Sequence, residues 1–128
     1  MIKNKFAAYQ ETQLISAPPG TMARMALEGS LKAARTASIE LKAGRILERS
    51  RAITQAINLL TEFVAMLDDR HEPEVCLNLR RVCDYAQRRL MEAHAKKSES
   101  MIDEVVGLLQ PILEAWKTVE RRSAAVMA

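Results

Sequence analysis

A chain of 128 residues with 48% hydrophobic side chains has enough material for one continuous core, and suits a single domain. Aromatics make up only 4% and there are 4 glycines, so strand-type runs of aromatic and β-branched residues are missing and straight-chain helix formers dominate. Nineteen basic residues against sixteen acidic ones leave a formal net charge of +3, but the two signs alternate along the chain. Such interleaving makes a solvated surface rather than the one-sign field of a nucleic-acid or membrane binder.

The first element, about Ile2 to Gln13, is too short to be a stable isolated helix. Pro18, Pro19 and Gly20 then set a helix start. The first long helix is predicted from Pro19 to Ala43, closed by Gly44 as its C-terminal cap. It carries two apolar rows: Leu27, Leu31, Ala34 and Leu41 beside Met22, Met25, Gly29 and Ala33. The second helix is predicted from Arg45 to Asp68. Its core stripe reads Ile46, Ile53, Ile57, Leu60, Val64 and Leu67, with a further row of Ala56, Leu59, Phe63 and Met66 alongside. A polar connection at Asp69–Pro73 ends it.

The third helix is predicted over Glu74–Lys97, with Val75, Leu79, Val82, Ala86, Leu90 and Ala93 facing inward and Lys96 and Lys97 at the negative end of its dipole. Ser98 is placed to cap the last helix, Glu99–Arg122, whose stripe is Ile102, Val105, Leu109, Ile112, Trp116 and Val119. Pro111 interrupts it, removing a donor and crowding the carbonyl of Gly107. The expectation is a continuous but kinked helix. Heptad-like stripes and short connections predict an all-α fold, an antiparallel up-and-down four-helix bundle over 16–122. Residues 1–15 form a short N-terminal helical segment packing on it, and 123–128 a flexible tail.

Two adjoining apolar rows on a helix exceed what a bundle seam needs. They suit a groove for a partner, for which seven methionines would supply an adaptable surface. A wide core covered by the N-terminal segment fits the periodicity equally well.

Residue patterns for chemistry are lacking. Glu92-Ala93-His94 has the wrong spacing for the Glu-x-x-His pair of a di-iron bundle, and there is no second copy. Cys76 and Cys83 have no zinc-type partners, and about 10 Å of helix separates them, so they read as free, buried apolar groups of a reducing compartment. No phosphate loop or nucleophile elbow appears. The pairs Arg80–Arg81, Arg88–Arg89 and Arg121–Arg122 lack interleaved aromatics for base stacking. No enzyme, cofactor or metal is expected, and with no signal peptide or bilayer-length apolar run the expected location is cytoplasmic.

Several segments in order and spacing resemble the FliS family of flagellar secretion chaperones. They are Ser16-Ala17-Pro18-Pro19 through Met25, Glu28 and Gly29; Gln55-Ala56-Ile57-Asn58-Leu59-Leu60; Leu67-Asp68; Asn78-Leu79; Asp84 through Lys97; Asp103-Glu104-Val105-Val106-Gly107-Leu108-Leu109; and Trp116-Lys117. Before the third helix, where the family has a glycine pair, this chain has Glu72-Pro73. The resemblance implies binding of the disordered C-terminal helical segment of flagellin, protection from premature polymerisation, and delivery to the flagellar export gate, with no nucleic acid and no membrane insertion. It ties Phe6 and Tyr9, in a short N-terminal segment, to partner binding; that segment is expected either to cover part of the groove when empty or to act as a simple helix-end staple onto the core. The groove candidates on the two adjoining rows are Leu27, Leu31, Ala56, Leu59, Phe63 and Met66. Oligomeric state stays open. The alternative reading is a generic helical adaptor or a basic nucleic-acid-associated bundle, and steep salt dependence would mark the latter.

Overall fold

The computed structural model describes residues 19–127. Four helices follow in order: α1 (Pro19–Lys42), α2 (Ile46–Ala65), α3 (Pro73–Lys96) and α4 (Glu99–Met127), with no strand among the described residues. The predicted N-terminal segment, 1–15, lies outside the described residues. Helix boundaries agree with the sequence reading to within three residues, except that α4 runs on past Arg122 to Met127. Ser123-Ala124-Ala125-Val126-Met127 contains good helix formers and no breaker, so the helix continues into what was expected to be tail.

The chain's punctuation works as its chemistry requires. Gly44 takes φ +73° and its N–H donates to Leu41 O, closing α1 in a conformation that side-chain-bearing residues resist. The Ser98 hydroxyl accepts from the N–H of Met101, three residues on, and so caps α4. Lys97 and Glu72 adopt positive φ without being glycine, at +55° and +48°. Glu72 precedes Pro73, the first residue of α3. Pro111 lies inside an unbroken α4, on its exposed side.

Each helix packs against two others, α1 against α2 and α4, and α3 against the same two. Short turns make neighbours antiparallel, as the cross-links between α1 and α4 show: Arg24 reaches Glu120, Arg35 reaches Gln110 and Lys42 reaches Glu99. Gln87 of α3 donates to Ile57 O and Thr61 Oγ1 of α2. The α1–α2 contact is the most extensive, lined by buried Ala26, Ala33 and Ala37 and by Ala52 and Ala56. Small side chains let two helix axes come close.

The core differs from the predicted stripes in a consistent way. In α2 the inward line is Ile53, Ala56, Leu60, Phe63 and Leu67, which draws from both predicted rows; Ile57 and Val64 flank it toward α3, and Leu59 flanks it toward α1. In α3 the two cysteines occupy core positions at one end, Val75 is exposed, and Leu79 and Val82 are only half-buried. In α4 Leu113 is buried while Ile112 is peripheral and Val119 exposed. An inward line of α2 centred between its two predicted rows places more apolar residues at the margins than a single seam would.

Candidate partner-binding surface

On α1 the two apolar rows divide only in part. Leu27, Leu31 and Ala34 are fully buried and Leu41 half-buried; in the other row Ala33 is buried and Gly29 half-buried, whereas Met22 and Met25 are exposed, Met25 to 57%. Gly29 has a packing reason: a Cβ built there would come within 2.9 Å of Leu59 Cδ1. The missing side chain lets Leu59 of α2 lie down across α1. Antiparallel register then fixes the rest. One heptad back along α1 from Gly29 is Met22, and one heptad forward along α2 from Leu59 is Met66, so these two stand at the same level. The result is a strip along the α1–α2 seam made of Met22, Met25, Gly29, Leu59 and Met66. Thioether side chains make such a strip adaptable. On its α2 side it meets an open cleft of about 480 Å³, lined by Ser50, Arg51, Thr54, Gln55, Asn58, Leu59 and Glu62. An apolar ridge bordering a polar cleft is what an amphipathic segment can lie along.

Of the predicted binding residues, the structure brings Leu59 and Met66 to this strip as half-buried side chains. Leu27, Leu31, Ala56 and Phe63 are not on an exposed row but in the core. The physical reason is the narrow α1–α2 spacing, which turns the line between the predicted rows directly inward. Phe63 meets Trp116 edge-to-face, with ring centroids 5.2 Å apart at 69°, and Trp116 Nε1 donates to Gly20 O at 2.8 Å. These two contacts tie α2, α4 and the start of α1 together. Phe6 and Tyr9 lie outside the described residues. Sequence reading assigned the outer row of α1, Met22, Met25 and Gly29, to the seam; a glycine inside a good helix was the one signal of close contact there.

Elsewhere the surface is charge-paired. Arg24 bonds Glu28 and Glu120, the latter also held by Thr21, and Lys117 lies 3.8 Å from Glu28. Between α3 and α4, Tyr85 donates to Glu104 at 2.6 Å and Arg89 bonds both Glu104 and Glu92. The hydrogen bond from Tyr85, followed by that from Arg89, holds the Glu104 carboxyl below its ordinary value, and the same bond raises the Tyr85 phenol. Arg70 donates to Asp68 through both backbone and guanidinium, and its hydrogen bonds hold the Asp68 carboxyl down at about 2. Burial pushes the free Cys83 thiol up to about 12, so little thiolate exists at neutral pH. Cys76 is likewise free and buried, its thiol near Asp68 O and His71 O. Among the described residues no cluster of three His, Cys, Asp or Glu could hold a metal, and no helix is long and apolar enough to cross a membrane.

The family model described as "Flagellar protein FliS" matches residues 2–123. The chain is 32% identical to the flagellar secretion chaperone FliS of Salmonella typhimurium over 115 residues, covering 89% of this chain and 85% of that one. It is 28% identical to its counterpart in Bacillus subtilis over 91% of this chain and 86% of the relative, and 28% identical to the chaperone FliSB of Pseudomonas aeruginosa over 83% and 84%.

Proposed function

The chain belongs to the FliS family of flagellar secretion chaperones, a chaperone family and not an enzyme family, and from that premise we propose that it holds the C-terminal helical segment of flagellin before export. The observation that supports this reading is the methionine-rich strip along the α1–α2 seam, where Met22 and Met25 stay exposed beside half-buried Leu59 and Met66. A bundle that needed only itself would gain by placing polar residues there. An incoming amphipathic helix buries the strip, and ordering of the flexible segment is offset by the apolar area removed from water. Held this way, the segment cannot polymerise, and it can be handed to the export apparatus in the cytoplasm. Phe6 and Tyr9 belong to the same proposal, as the covering residues that yield when the segment arrives.

A nucleic-acid-associated bundle has less to support it, because many of the cations, Arg24, Lys42, Arg45, Arg70, Arg80, Arg88, Arg89 and Lys96 among them, are engaged in ion pairs. Titration with a peptide from the C-terminal end of the cognate flagellin, followed by circular dichroism, tests the reading. Binding with a gain in helical signal and weak salt dependence is the expected result. Leu59→Asp leaves the helical signal and melting temperature of the free protein close to the parent's and weakens the peptide at least tenfold. A peptide that binds Leu59→Asp as well as the parent would move the site off this seam.

A further inference from the structure

The inward line of α2 continues beyond the packed seam. Ile46, Arg49, Ile53 and Ala56 follow one another at steps of three, four and three, so all four point to the same side of the helix. Ile53 and Ala56 are core, but Ile46 is 60% exposed and Leu47 beside it 57%; the core runs out at this end of the bundle. Between the covered and uncovered parts sits Arg49, only 5% exposed. Its Nε donates to Nδ1 of His94 on α3 at 3.0 Å. That bond uses one of five donors, and no carboxylate of the described residues stands within ion-pair distance. Arg49 is the buried arginine among the described residues; the more exposed Arg24, Arg45, Arg80 and Arg89 each reach an acid.

A cation taken out of water without a counter-charge is costly, which is why buried guanidinium groups are found paired. The outer nitrogens of Arg49 are not sealed in: among the described residues the buried side-chain polar atom without a partner is Ser30 Oγ. The guanidinium is therefore held from behind by His94, with its outer nitrogens at the edge of the covered region and not sealed within it. Its planar geometry fits a carboxylate through two parallel hydrogen bonds. The apolar pair Ile46 and Leu47 next to it argues for a protein segment rather than a free anion.

We propose that Arg49 is a carboxylate anchor: an acidic side chain of the bound segment pairs with its open fork while an apolar neighbour in that segment covers Ile46 and Leu47. This rests on the chaperone reading above and adds to it a charged contact at the turn end of the bundle that fixes the register of the bound segment. Isothermal titration of the flagellin C-terminal peptide into the full chain tests it. Arg49→Gln weakens binding by about ten- to a hundredfold, the range of a hydrogen bond to a charged group. Arg49→Lys recovers only part, because the ammonium has no fork. With the unchanged chaperone, peptides carrying single Asp→Asn or Glu→Gln changes reveal one position that reproduces the loss, and that same change has no further effect against Arg49→Gln. Equal binding by Arg49→Gln and the parent, or no acidic position that behaves this way, overturns the anchor. If Arg49→Gln does not fold, the peptide series on the unchanged chaperone decides alone. A parent protein that binds no flagellin peptide overturns the chaperone reading and the anchor together, whereas binding indifferent to Arg49 and to the peptide acids overturns the anchor only.

Discussion

Phe63→Ala separates a core residue from a docking residue. Phe63 is fully buried and shares an edge-to-face contact with Trp116, which in turn donates to Gly20 O. Truncation removes the buried ring from apolar surroundings and leaves a cavity that close-packed neighbours fill only in part, together costing about 3–5 kcal/mol. The aromatic contact accounts for about 1 kcal/mol of that sum. For a domain of this size each kcal/mol lowers the melting temperature by roughly 3–5 °C, so a fall of about 10–20 °C is expected. The assay is thermal unfolding followed by helical circular dichroism, with the flagellin peptide titrated at a temperature where both proteins are folded. Peptide affinity should change much less than stability. A melting temperature within about 3 °C of the parent, together with a large loss of binding, would refute the packing argument and return Phe63 to the surface.

Glu72 holds φ +48° ahead of Pro73, so Glu72→Gly should stabilise by about 1 kcal/mol in chemical denaturation, since glycine takes the left-handed region without penalty; a loss of stability would show that the glutamate has a compensating contact. Ser30 is buried with its hydroxyl unpaired among the described residues, and Ser30→Ala should stabilise by about 1 kcal/mol in the same assay; destabilisation would mean the hydroxyl has a partner. Asp68, held at about 2 by its hydrogen bonds from Arg70, has a folded-state pKa below its unfolded one. Its contribution is present above about pH 4 and lost as pH falls toward 2. Asp68→Asn should therefore be less stable than the parent at pH 7 and equal to it near pH 2, and a gap that persists in acid would contradict the assignment.

Much of the fold was legible because helix signals are local. Gly44, Ser98 and Pro19 bracket helices through their own backbone and hydroxyl chemistry, whatever the neighbours do. The apolar stripe of α4 anticipated Ile102, Val105, Leu109 and Trp116, while the buried Leu113 took the place expected for Ile112. The cysteines read as buried and free, and are. The break at Asp69–Pro73 was visible in its residues, but not that Glu72 would take the left-handed turn there.

The chain by itself determined four helices, their ends apart from the last, and the presence of more apolar surface than one seam consumes. Which row of that surface turns inward was decided only by tertiary structure. A sequence fixes the angle between two rows on one helix, about 100° of rotation per residue, but not the rotation of the helix against its neighbours. That rotation followed from alanines that let α1 and α2 close up and from Gly29 making room for Leu59. Their packing turned Leu27, Leu31, Ala56 and Phe63 inward and left Met22 and Met25 facing out, because close contact along a seam is a property of two surfaces together.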